Sequence, residues 1–172
     1  MTDDHDFERA KQKAFRLLAL RARSEKELRA KLKEKKFDKE IIDRVVFRLQ
    51  ELNYLDDETF ARQWVRHLAV DKLSGNRKIE SSLREKGISK ALSERMIAEI
   101  REDFPERQAV RKSIHKKLRG EKHRELDVKE KRRLAQHLMA KGFTPGIIFE
   151  TIAGSEEEEI STRPAGCRTR PA

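Results

Sequence analysis

Apolar residues fall along this chain in short stripes at three- and four-residue intervals, the spacing of helices that bury one face. Ala14, Leu17, Leu18 and Ala22 make the first stripe, Leu28 and Leu32 the second, and Ile41, Ile42, Val45, Val46, Leu49 and Leu52 the third. Start signals stand between them. Ser24 with Glu27 three residues on reads as a capping box, and Asp38 is a candidate cap for the third helix. The pattern then recurs. Phe60, Ala61, Trp64, Val65 and Leu68 line a helix opened by Asp56 or Asp57 and ended by the turn residues Ser74-Gly75-Asn76. Ile79 and Leu83 follow, then a helix capped by Ser89 and carrying Leu92, Met96, Ile97 and Ile100. Phe104-Pro105-Glu106 opens the last set: Val110, Ile114 and Leu118, then Leu134 and Leu138, then Ile147, Ile148, Phe149 and Ile152 after Thr144-Pro145. Proline suits the first turn of a helix, where its missing N–H costs nothing.

These stripes are one unit written three times. The segment beginning at Leu32 returns at Leu83, 51 positions on, and at Leu138, 55 positions after that. An apolar residue stands four before each leucine (Leu28, Ile79, Leu134) and a lysine three after it (Lys35, Lys86, Lys141). Lys86-Gly87 and Lys141-Gly142 read as helix stops, since glycine suits the left-handed position past a helix end; Lys36 replaces that glycine in the first copy. Periodicity of this length signals stacked units. The predicted fold is all-α, an elongated tandem array of three three-helix repeats. Its expected segments are a flexible N-terminus (1–8), repeats at 9–56, 57–102 and 103–153, and a disordered tail (154–172) with almost nothing to bury. The stretch Arg119 to Asp127 reads as a charged connector. A unit of roughly 48 residues is near the lower limit for independent folding, so each unit is expected to lean on its neighbour. With a twelve-residue helix roughly 18 Å long, three units end to end would make a rod on the order of 50–60 Å.

Composition sharpens the picture. Charged residues are 42% and hydrophobic ones 36% of the chain, which fits narrow stripes on charged helices better than one large core. No apolar run is long enough to span a bilayer, the acidic start Met-Thr-Asp-Asp-His-Asp is no secretory signal, and the one cysteine, Cys167, makes cytoplasm the default address. The formal net charge is +10, and repeat three holds most of the surplus, with thirteen basic to seven acidic residues. Such a balance attracts phosphate backbones or an acidic protein surface and does not choose between them.

No catalytic constellation stands out. The five histidines never pair at helical ligand spacing and no cysteine joins them, so neither metal nor other cofactor is expected. Asp56-Asp57 resembles a carboxylate pair, yet capping explains both. Tyr54, Phe60 and Trp64 read as hinge and core packing ahead of a base-stacking platform. The basic residues are the better candidates for partner or DNA contact. Arg111, Lys112, Lys116 and Lys117 recur at helical spacing, Lys131, Arg132 and Arg133 cluster nearby, and Arg21, Arg23, Lys72, Arg77 and Lys78 join them. Lys35, Lys86 and Lys141 have two readings: they line one edge of the array, or they answer the negative end of each helix dipole.

The motif residues Arg23-Ser24-Glu25, Glu27-Leu28 and Lys31-Leu32, then Leu52-Asn53-Tyr54-Leu55-Asp56-Asp57 with Phe60-Ala61, then Leu83-Arg84-Glu85-Lys86-Gly87-Ile88, resemble the RecX family of bacterial regulatory proteins over about residues 10–152. The resemblance implies a tandem three-helix array that modulates the RecA recombinase, usually by inhibition. Its body would lie in the groove of the RecA–single-stranded DNA filament, limiting strand exchange, ATP hydrolysis and co-protease activity in DNA repair and the SOS response. The chain would act as a monomer and without catalysis. Two rivals remain at this point: a helix-turn-helix-like nucleic-acid-binding regulator acting without RecA, and an adaptor for some other acidic protein.

Overall fold

The computed structural model describes residues 2–118 and 127–152; residues 119–126, most of the charged connector, and the tail from 153 lie outside the described residues. Unit one is α1 (Thr2–Leu20), α2 (Glu25–Glu34) and α3 (Lys39–Glu51). Unit two is α4 (Asp57–Arg66), prolonged by a π-helical turn at His67–Asp71, then α5 (Asn76–Glu85) and α6 (Lys90–Asp103). Unit three is α7 (Glu106–Lys117), α8 (Val128–Ala140) and α9, helical over 145–152. No strand occurs among the described residues, and the fold is the all-α tandem array that the stripes predict.

Local chemistry explains the boundaries. Ser24 accepts from the Glu27 N–H while the Glu27 carboxylate accepts from the Ser24 N–H, completing the capping box of α2. Asp56 caps α4 by accepting from the Glu58 and Thr59 N–H groups, and Ser89 caps α6 through Leu92. α8 has its own capping box from Asp127, the last residue of the expected connector, and Glu130. The second helix of each unit stops the same way, on a residue with positive φ: Lys36 at 64°, Gly87 at 87° and Gly142 at 90°.

Each unit has its own core. Leu28, Leu32, Val45, Val46 and Leu49 are fully buried in the first, Ile79 and Leu83 in the second, and Val110 and Leu138 in the third. Full burial of a side chain of this kind is worth about 1.5–3 kcal/mol. The third core borrows from its neighbour: Leu73, which follows the π-helical turn at a φ of 51°, is buried among Phe104, Val110 and Phe143.

Three details depart from expectation. Residues 1–8, expected to be flexible, give way to a helix from Thr2, because Phe7 packs against the first core with Lys11 and Arg44 over its ring. The apolar face thus extends upstream of Ala14 to Ala10 and Phe7. Leu52 and Phe149, counted into stripes, are exposed. The π-helical turn carries no sequence signature; it lets α4 end with Leu68 and Ala69 inward and Leu73 turned toward unit three.

The units are joined twice by one arrangement, centred on the N-terminus of the second helix of the upstream unit. At the first joint the Glu25 N–H donates to the Asp57 carboxylate (2.8 Å) and the Ser24 hydroxyl donates to the Lys86 carbonyl (2.6 Å). At the second joint the Asn76 N–H donates to the Glu106 carboxylate (2.9 Å) and the Gly75 N–H donates to the Lys141 carbonyl (2.9 Å). So the first residue of the next unit, and the lysine–glycine turn two elements later, together cap the exposed end of the helix behind. Contact is close enough to dictate glycine. A Cβ at Gly75 would lie 2.3 Å from the Gly142 carbonyl carbon, and one at Gly87 would lie 2.7 Å from the Lys26 Cβ.

Gly75→Ala should therefore destabilise the full chain by more than about 2 kcal/mol, since backbone rather than a mobile side chain blocks the new methyl. Gly146→Ala, whose Cβ meets nothing within 4 Å, should be neutral or stabilise α9 by up to about 1 kcal/mol. Urea unfolding of the two variants checks both; equal midpoints would contradict the close approach.

Candidate functional site

The two joints share a backbone plan and differ in charge. At the first, Lys86 donates to Glu27 (2.6 Å), lies 4.9 Å over the Trp64 ring, and leaves the two charged side chains only 22% and 17% exposed. Arg21 reaches the same carboxylate with both terminal nitrogens, at 2.9 and 3.1 Å. Burial alone would raise the Glu27 pKa, but hydrogen bonds from Arg21 and Lys86 outweigh it and hold the group at about 2. The Asp57 carboxyl moves the other way, pushed up by burial despite the Glu25 N–H. Of the sequence candidates, Lys86 and Arg21 are thus engaged within the molecule, as is Arg23, which donates to the Leu17 carbonyl at 3.1 Å.

At the second joint the residue in the place of Glu27, 51 positions on, is Lys78. Lys141, the counterpart of Lys86, finds no carboxylate: its ammonium donates to the Lys72 carbonyl at 2.8 Å and more weakly to the Leu73 carbonyl at 3.4 Å. Those carbonyls end the widened helical turn of unit two, where a cation is favoured by the helix dipole. Burial, then Lys116 and then Lys78 lower the Lys141 pKa; burial, then Lys117 and Lys141, lower that of His137. The structure thus brings Lys78, Lys116 and Lys141 to one joint, drawn from α5, α7 and the end of α8, with the Lys72 carbonyl on Lys141 and Lys117 beside His137.

The remaining candidates lie around that cluster or beyond it. Arg77 has its N–H on the Gly142 carbonyl (3.3 Å) and an exposed side chain. Lys112 sits 4.9 Å over the Phe104 ring. Arg111, Arg132 and Arg133 are exposed, and Lys131 is half-buried. The aromatic trio divides: Phe60 is buried and stacked on Trp64 with ring centroids 5.9 Å apart, Trp64 donates to Ser82, and Tyr54 is exposed with its ring edge-to-face on Phe15.

Arg101 is the other joint residue that sequence reasoning missed. Its guanidinium donates to Asn76 Oδ1, Phe104 O and Ser74 O, clamping units two and three, and burial lowers its pKa against the pull of Glu106. The counterpart one repeat earlier is Gln50, which donates to Glu25 at 2.9 Å. Laying the copies side by side at the Glu25/Asn76, Glu27/Lys78 and Gln50/Arg101 positions would have exposed both joints. That comparison carries the signal, and apolar spacing does not.

An all-helical array whose units cap one another, with basic residues gathered at its second joint, defines a class of repeat proteins that present a basic surface. The family identity follows from three consecutive matches: residues 10–49 match "RecX, first three-helix domain", residues 56–96 "RecX, second three-helix domain" and residues 105–152 "RecX, third three-helix domain". The chain is 33% identical over 149 residues to the regulatory protein RecX of Mycolicibacterium smegmatis, covering 85% of this chain and 79% of that one. It is 34% identical over 152 residues to the regulatory protein RecX of Prosthecochloris aestuarii, covering 87% and 95%. The crystal structure of RecX from Lactobacillus salivarius superposes with a TM-score of 0.75 at 21% identity, over 90% of this chain and 99% of that one, a likeness of fold. The chain belongs to the RecX family of regulatory proteins.

Because Glu27 titrates lower folded than unfolded, its ion pairs stabilise the protein fully above the ordinary value of 4.5 and lose that contribution as the pH falls toward about 2. Glu27→Gln should be less stable than the parent at neutral pH and show a shallower loss of stability below about pH 4.5. Thermal melts across that range test the point; parallel acid limbs would contradict it.

Proposed function

We propose that this chain is a non-enzymatic regulator that binds the RecA–single-stranded DNA filament, in its helical groove, and restrains recombinase, ATPase and co-protease activity. The observation that carries the reading is the concentration of basic groups at the second joint and on unit three, in a chain belonging to the RecX family. A row of units joined end to end can touch several filament subunits at once, so modest contacts multiply through effective concentration. Cationic steering makes such association fast and salt-sensitive. The monomer acts in the cytoplasm, where the filament forms.

RecA-catalysed ATP hydrolysis on single-stranded DNA, titrated with this protein at two salt concentrations, tests the reading. Inhibition is expected, weakening as salt rises. Reversing charge at Arg111, Lys112, Lys116 and Lys117 should raise the concentration needed for half-inhibition about tenfold or more while circular dichroism stays unchanged. Sequence-dependent duplex binding with no effect on RecA turnover would favour an independent DNA-binding regulator instead.

A further inference from the structure

The second joint is built like the first with its central charge inverted, and among the described residues no carboxylate pairs with its lysines. Where Glu27 accepts from Lys86 and Arg21, Lys141 has Lys116 and Lys78 as its charged neighbours. Among the described residues none of Lys72, Lys78, Lys116, Lys117 and Lys141 is ion-paired. The acid that the joint does hold, Glu106, accepts from the Asn76 N–H and lies beside Arg101. Backbone contacts hold the Lys141 ammonium and the base of the Lys78 side chain at the joint. Lys141 is fixed by two carbonyl acceptors, its own carbonyl receives the Gly75 N–H, and Gly142 packs so tightly on Lys78 that a Cβ there would lie 2.5 Å from the Lys78 Cβ. Like charges held close by backbone contacts raise the free energy of the empty site, and an arriving anion removes that cost. An ammonium has three N–H donors, so Lys141 keeps one beyond the two carbonyls. The N–H groups of the α5 N-terminus are already used by Lys141, Glu106 and Gly142, so the side-chain ammoniums are what an anion would meet.

We infer that the joint between units two and three is a phosphate-binding site, in which Lys78, Lys116 and Lys141 hold a phosphodiester of a single-stranded DNA backbone. That the anion is DNA rests on the filament reading above; that the site takes phosphate rests on the joint itself. A nonbridging phosphate oxygen accepts from several ammoniums at once, and charge-assisted bonds of this kind are about twice as strong as neutral ones. The contact is independent of base sequence, as suits a regulator of a filament that coats any strand.

The test uses the full chain and a labelled oligothymidylate, read by fluorescence anisotropy across a salt series. Lys78→Glu writes the first joint's ion pair into the second, so its melting temperature should hold or rise while the site is neutralised. Lys90→Glu, the same charge change at an exposed residue of α6, is the control. Relative to the control, Lys78→Glu should weaken binding about tenfold and reduce the magnitude of the log–log salt slope by roughly 0.7, one single-strand phosphate contact. Lys78→Gln should move both in the same direction by less, and decides the matter should Lys78→Glu misfold. Matching affinity and slope for the Lys78 variants and the control would overturn the proposal. So would a defect seen only on RecA filaments and absent on bare oligonucleotide, which would mean that the site takes protein carboxylates. Oligonucleotide binding that depends on Lys78, together with unaltered RecA turnover, would keep the phosphate site and remove the filament reading.

Discussion

A helix that begins in the open leaves its first backbone N–H groups without partners, and this array is held together by how each unit supplies them to the one behind. α2 and α5 start at the boundaries between units. Each receives a carboxylate from the first residue of the next unit, Asp57 or Glu106, and a carbonyl from the lysine that ends the next unit's second helix. The lysine–glycine turn therefore has two tasks. It stops its own helix, and it docks on the preceding unit at a distance only glycine allows. Units near the lower size limit for independent folding gain from this without sharing one core; the third unit's use of Leu73 is the main place where packing crosses a boundary.

One backbone arrangement used twice frees the side chains at the joint to differ. The first joint pairs its lysine: Glu27 accepts from both Arg21 and Lys86, and Lys86 lies over the Trp64 ring, in a partly buried group. Such a pair does little for net stability compared with an apolar substitute, yet removing one member leaves a charge stranded. The second joint spends no carboxylate on its lysine and uses backbone carbonyls instead. The protein thereby has an upstream joint that is structural and a downstream joint that keeps its positive charge available.

The apolar stripes located all three units, and the helix stops at Lys86-Gly87 and Lys141-Gly142 fall where the chain does turn left-handed. Period and glycine chemistry are local properties, so a sequence displays them openly. The roles of Asp57, Glu106 and Arg101 are not local. Asp57 beside Asp56 looks like one of two equivalent caps, and only the distance to the Glu25 N–H separates them. Lys35, Lys86 and Lys141 occupy one register position and have three fates: exposed, paired with a carboxylate, and bound to carbonyls. Which fate applies depends on the unit upstream, which spacing within a single unit does not describe. The basic patch was legible as composition, and its convergence on one joint was not.

A contact that joins unlike faces and does not close on itself can in principle repeat without limit, and fibres are the ordinary outcome when nothing halts it. Each end of this array keeps one half of such a contact. At the upstream end the turn that would have to dock carries Lys36 instead of glycine, in the same left-handed conformation at a φ of 64°. A side chain there is incompatible with the approach that Gly87 makes to Lys26 and Gly142 to Lys78. Lys36 thus keeps the repeat's left-handed turn and lacks the glycine that the docking contact of the other two turns requires.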